Sequence, residues 1–246
     1  EEFADRVAEL VEKHVNINRL LELTKPVATA VVPISAGRHI YKREPSFPIA
    51  VACDPAFNFV YEANIRYLHH LGEVTYFSPL ADTSLPDAGF VYLPGGYPEL
   101  YLAALSANRQ MLQSIRRYVE SGGKLLAECG GMMYLCDEIR DKNGYVYPMA
   151  GVLHQSATME NMKLRLGYRT LLYNETRLKG HEFHYSRLVE QQNPLPSCAV
   201  AYTAKGVETD TPLYHYKNVW AGYTHLYWAD PVGNEWFTKF VIDGNI

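Results

Sequence analysis

A strand that runs straight into a helix through one cysteine and two glycines constrains this chain more than any other feature. Lys124-Leu125-Leu126-Ala127-Glu128 is a short, mostly apolar run. Cys129-Gly130-Gly131 follows at once, and Met132-Met133-Tyr134-Leu135 begins an apolar helix. So sharp a turn leaves no room for neighbouring side chains, hence the glycines. Other apolar strand candidates lie at 49–52, 74–77 and 88–93. Helical stretches run through Tyr61, Ile65, Leu68 and Leu71 and over 108–119. Continuous apolar strands alternating with amphipathic helices predict an α/β fold with a doubly wound, mostly parallel sheet covered on both faces. Beyond Met149 the segments 164–173, 180–188, 199–202 and 219–223 read as aromatic-rich strands. They predict an antiparallel, strand-rich C-terminal part closed by a helix over 232–242.

With 246 residues, 48% of them apolar, the chain can bury a sizeable core, which excludes a disordered or collagen-like polymer. Its 23 Lys and Arg against 27 Asp and Glu give a formal charge of −4, so no basic field recommends nucleic acid as a partner. No apolar run approaches the roughly 18 residues of a membrane span. The acidic start Glu1-Glu2-Phe3-Ala4-Asp5 is unlike a secretion signal. Cys53, Cys129, Cys136 and Cys198 show no Cys-x-x-Cys spacing, which argues against a zinc knuckle or a dithiol motif and for a reducing, cytoplasmic setting. The chain does not begin with Met. Over 1–24 the residues Phe3, Val7, Leu10, Val11, Val15, Ile17, Leu20 and Leu21 fall at helical spacing, and Pro26 ends the pattern. Residues 25–47 are irregular and basic, a linker, and the α/β domain occupies 48–246. The first helix is expected to be the tail of a missing upstream domain; the alternative is a helix packed on the domain that follows.

Cys129 has the placement of a nucleophile elbow, which projects one side chain from the carboxyl end of a strand. Helix-start N–H groups and the helix dipole favour its thiolate; the alternative is a small buried packing residue. Leu93-Pro94-Gly95-Gly96-Tyr97-Pro98-Glu99 ends the preceding strand and opens into the same crevice. A backbone N–H there, with that of Gly130, can hold a developing oxyanion, unless the segment is an ordinary Pro-Gly turn. Gly-x-x-x-x-Gly-Lys-Ser/Thr occurs nowhere, so no phosphate loop is read. Of nine histidines, His69 and His70 lie in a predicted helix and His39 in the linker. His225, in Trp220-Ala221-Gly222-Tyr223-Thr224-His225-Leu226-Tyr227-Trp228, lies after a late strand and is the candidate base, or else an aromatic-packed core histidine.

The blocks Asp54-Pro55-Ala56-Phe57-Asn58-Phe59, Phe77-Ser78-Pro79-Leu80, Gly95-Gly96-Tyr97-Pro98-Glu99-Leu100, Ala127-Glu128-Cys129-Gly130-Gly131 and Gly180-His181-Glu182-Phe183-His184-Tyr185-Ser186, with His225 after them, stand in a telling order. Over 48–242 the chain resembles the class I-like glutamine amidotransferase domain of the cobyrinic acid a,c-diamide synthase family. The resemblance implies a ligase of cobalamin biosynthesis whose glutaminase half releases ammonia from glutamine. Its ATP- and Mg-dependent synthetase half, N-terminal in the family, then amidates a tetrapyrrole. That half is expected to be absent here, leaving no cofactor in this piece; a homodimer is also expected. The resemblance makes Cys129 the nucleophile, His225 the base, and Gly96 and Gly130 the oxyanion hole. Many class I amidotransferases carry a Glu two residues after the histidine, where this chain has Tyr227. Glu182 is the substitute considered, with His184 beside it, both as support; the alternative is a hydrogen-bonded structural pair with no direct part in catalysis. In a strand Glu182 and His184 share a face that His181 does not, which argues against a metal site. The alternatives are a non-catalytic interaction module and another Cys-elbow hydrolase on a similar sheet.

Overall fold

The computed structural model describes residues 2–24, 47–192 and 194–243, and the chain divides into two units, Glu1–Lys42 and Arg43–Ile246. In the first unit the single expected helix is two, α1 (Glu2–His14) and α2 (Ile17–Leu23). The break falls at Asn16, whose side chain accepts the Arg19 N–H at 2.9 Å. A capping side chain of this kind starts a new helix rather than continuing an old one. No residue of either helix is buried. The linker expected over 25–47 lies, except for Phe47, outside the described residues.

The second unit begins with β1 (Pro48–Ala52), α3 (Glu62–Leu71), β2 (Glu73–Phe77) and β3 (Phe90–Leu93). After a short 3-10 turn come α4 (Leu102–Ala107), α5 (Arg109–Glu120), β4 (Lys124–Glu128) and α6 (Gly130–Leu135). Helix α4 had no counterpart in the sequence reading. It is six residues long and ends at Asn108, whose side chain caps α5 by accepting the Met111 N–H at 3.3 Å. Strands β13 (Leu213–Tyr216) and β14 (Val219–Gly222) complete the main sheet in the order β13-β14-β4-β3-β1-β2. Every neighbouring pair is parallel except β13 with β14.

Alternation along each strand sends side chains to opposite faces. Ile49 and Val51 enter one core layer with Phe90, Tyr92, Leu126, Trp220 and Trp228. Ala50 and Ala52 enter the other with Val91, Leu93, Leu125, Ala127 and Met132. Both faces are covered, which is why these strands read as unbroken apolar runs. Because the strands are parallel, the segments after β1, β3, β4 and β14 emerge along one carboxyl edge, where open α/β sheets place their sites.

The rest forms two smaller sheets. One joins β5 (Glu138–Arg140), β6 (Val146–Pro148), β7 (Ser156–Thr158) and β10 (Arg187–Leu188) in the order β10-β7-β5-β6. The other is antiparallel, β12-β11-β8-β9-β15, built from β8 (Arg165–Tyr173), β9 (Thr176–His184), β11 (Val200–Thr203), β12 (Glu208–Thr209) and β15 (His225–Leu226). The strand expected over 180–188 is thus two, parted at Tyr185-Ser186. Helix α7 (Pro231–Thr238) starts where the Asp230 side chain accepts the Gly233 N–H at 2.7 Å, and it runs into a π-helical turn, Lys239–Asp243. Among the described residues no helix is long and apolar enough to cross a membrane.

Candidate active site

Cys129 stands between β4 and α6 with φ +48° and ψ −106°, a region that non-glycine residues occupy only under restraint. The restraint is visible. Its N–H donates to Gly222 O at 2.7 Å, fixing it to β14, and its carbonyl accepts the Met133 N–H at 3.0 Å, starting α6. A Cβ on Gly131 would fall 2.1 Å from Leu93 O, so only glycine lets α6 sit this close to the end of β3.

The loop after β3 serves both reacting groups. A Cβ placed on Gly130 would lie 3.2 Å from the Gly96 nitrogen, so the Gly96 backbone runs against the elbow. A Cβ on Gly95 would lie 2.1 Å from Cε1 of His225, so the missing side chain of Gly95 is the space the imidazole fills. The Phe59 ring covers the imidazole, with centroids 4.3 Å apart. His225 lies in β15 rather than in a loop, opposite His181 of β9.

At rest the pair is uncharged. Burial first, and then the nearby Glu99 carboxylate, push the Cys129 thiol up to about 12, although the Gly130 N–H pulls the other way. Burial first, and then the charges of His181 and His184, push the His225 imidazole down to about 3. The easily ionised thiol expected from the helix start is therefore not what the structure presents: α6 has six residues, and desolvation outweighs its dipole. Sγ has the Phe183 carbonyl as its hydrogen-bond partner, at 3.8 Å. Among the described residues no hydrogen bond joins it to His225, whose buried Nδ1 has no partner. The cleft at Sγ is lined by Gly96, Tyr97, Glu99, Met133 and the stretch from Phe183 to Ser186. It holds about 20 Å³, room for a single water.

Residues 48–232 match the CobB/CobQ-like glutamine amidotransferase domain. The chain belongs to that family. It is 37% identical over 236 residues to cobyrinate a,c-diamide synthase of Picrophilus torridus, an alignment covering 91% of this chain and 49% of the relative. To hydrogenobyrinate a,c-diamide synthase of Pseudomonas aeruginosa it is 40% identical over 185 residues, covering 73% of this chain and 41% of the relative. The chain thus spans about half the length of these curated relatives. Among solved structures it is similar to PurLQS of Thermotoga maritima, with a TM-score of 0.52 and 17% identity over 80% of this chain and 96% of that one. That likeness concerns the fold.

Within the amidotransferase domain, Glu182 and His184 form a bonded pair, but not with His225. Register places His225 opposite His181, so Glu182 points to the other face of the sheet. Glu182 Oε1 faces His184 Nε2 at 2.7 Å. Its Oε2 accepts Thr211 Oγ1 at 2.9 Å and lies 2.5 Å from Arg169 Nε. Burial pushes this carboxyl up, but the hydrogen bonds from His184 and Thr211 and the Arg169 charge outweigh it and hold it below its ordinary value. His184 Nδ1 faces Ser186 O at 2.8 Å. The ring lies flat on Tyr223, with centroids 3.7 Å apart, a stacked pair that fixes its plane. The pair brackets Phe183, the residue whose carbonyl meets Cys129. His184 and Ser186 also line a neighbouring cavity of about 340 Å³, with Arg165, Arg187, Glu190 and Asp210. Among the described residues no group of three His, Cys, Asp or Glu side chains is arranged to hold a metal ion.

The sequence reading passed over the Phe183 carbonyl and Glu128. The first is backbone and carries no residue signal. The second had one, an acid closing a mostly apolar strand.

Proposed function

We propose that this domain hydrolyses glutamine by a cysteine–histidine dyad. Cys129 Sγ attacks the side-chain amide carbon while His225 takes the thiol proton. The Gly96 and Gly130 N–H groups hold the oxyanion of the tetrahedral intermediate. His225 returns the proton to the nitrogen, the C–N bond breaks, and ammonia leaves a γ-glutamyl thioester. Water, deprotonated by His225, releases glutamate and restores the thiol. The observation that carries the reading is the glycine loop, whose Gly95 seats the imidazole while Gly96 lies against the elbow. Glu182 and His184 act as support, holding the Phe183 rim.

The names of the relatives extend the proposal. The ammonia is passed to an ATP-dependent synthetase half in a reducing, cytoplasmic setting, where it amidates a carboxylate of a corrin-type tetrapyrrole in cobalamin biosynthesis. ATP and Mg²⁺ are assigned to that synthetase half, so no step is routed through them in this domain.

A specific observation favours a slow isolated domain. The cleft has no room for glutamine and the dyad is neutral, so the exposed Tyr97 and Tyr185 must swing aside before catalysis. Glutamate release, measured with and without the synthetase half, tests the scheme. Cys129→Ser should abolish release and labelling by a glutamine-mimicking electrophile, and Cys136→Ser should leave both intact. Equal labelling of the two variants would remove Cys129 from its role.

A further inference from the structure

Glu128 takes no part in the proton transfers above, yet it adjoins one of the groups that make them in sequence and is bonded to the neighbour of the other. It is 2% exposed at the end of β4, where a carboxyl costs more to bury than an apolar side chain. Two hydrogen bonds offset that cost. Oε1 accepts the Leu226 N–H at 3.0 Å and Oε2 accepts the Tyr92 hydroxyl at 2.7 Å. Leu226 is the residue after His225, and Glu128 is the residue before Cys129. Strand β15 has two residues and two register partners in β9, too little ladder to fix a side chain by itself. Besides the ladder and the Tyr227 N–H bond to Lys179 O at 2.8 Å, this stretch is held by buried side chains: Glu128 at the Leu226 N–H, and Asn64 of α3, which donates to the Leu226 carbonyl at 2.8 Å and accepts the Trp228 N–H at 3.0 Å.

We propose that Glu128 is a positioning residue: by accepting the Leu226 N–H it ties the histidine-bearing strand to the residue next to the nucleophile, and so sets the imidazole against the sulfur. The inference rests on the glutaminase reading. In Glu128→Gln the amide keeps an acceptor for Leu226 and a donor for the Tyr92 oxygen. Glu128→Leu keeps the volume and loses both.

With the full chain, Glu128→Leu should lower kcat for glutamine hydrolysis about tenfold to a hundredfold with KM within about twofold, and Glu128→Gln should restore most of it. An unchanged kcat in Glu128→Leu, or an equal loss in Glu128→Gln, overturns the tether. A second measurement does not depend on turnover. The ring ¹⁵N signals of His225, assigned with His225→Gln, should shift and broaden in Glu128→Leu and stay in place in Glu128→Gln; an unmoved signal in Glu128→Leu overturns the proposal even if kcat falls. Should Glu128→Leu not fold, Glu128→Asp keeps the carboxyl but draws it back from the Leu226 N–H and must broaden the His225 signal; no broadening there overturns it too. If the unaltered chain releases no glutamate, the glutaminase reading fails, and the His225 signals still decide the tether.

Discussion

At Cys129 two influences oppose each other. The first turn of α6 offers N–H groups to a thiolate, while burial and Glu99 keep the proton on sulfur. Below its pKa a thiol yields about tenfold more thiolate per pH unit, so alkylation of Cys129 by iodoacetamide should climb by that factor with each unit from about pH 6 to about pH 9 without levelling. Mass spectrometry of the residue 129 peptide reads the rate, and a plateau near neutrality would reveal a thiolate–imidazolium pair instead. Gly95 makes the matching case for the base. In Gly95→Ala the new methyl meets the His225 ring at 2.1 Å, so the imidazole must move, and a displacement of about 1 Å costs on the order of a hundredfold in kcat. Removing the ring as well, in Gly95→Ala/His225→Ala, should return the melting temperature lost in the single variant, since contacting residues do not behave additively. No recovery would place the strain elsewhere.

Among the elements, β9 does two things. Its ladder with β8 builds the small sheet, and its end carries the Phe183 carbonyl to the sulfur. Glu182 joins both by tying β9 to Arg169 of β8 and to Thr211. Glu182→Ala leaves buried His184 and half-buried Arg169 without their carboxylate, a loss of about 3 kcal/mol, or roughly 10 °C in melting temperature for a domain of this size. Calorimetry should show that loss, and glutamine KM should rise as the rim loosens; an unshifted transition would make the pair ornamental. The same distinction explains what the sequence made legible. Strands β1, β3 and β4 were readable because both their faces are buried, the largely exposed edge strand β2 from its Val-Thr-Tyr-Phe run, and the elbow because cysteine and two glycines follow such a strand directly. Strands β5, β6, β7, β10, β12 and β15 are two or three residues long, too short for any period to register. Residues 1–24 looked like one helix because Asn16 caps without disturbing the apolar spacing. Glu128 drew no notice because its partner is 98 residues away.

For the molecule as a whole, every residue assigned to chemistry or to its support lies in the unit Arg43–Ile246. A chain beginning at residue 43 should therefore melt within about 2 °C of the full chain and release glutamate at the same rate; a marked loss of either would show that residues 1–42 belong to the working domain. The closed cleft has a consequence of another kind. Peroxide and related oxidants convert thiolates, not shielded thiols, to sulfenic acid. With its proton held and its sulfur covered, Cys129 is safe from such damage while the domain idles and becomes vulnerable in the moments when the cleft opens to work. Wear on this protein should track its turnover, not its age.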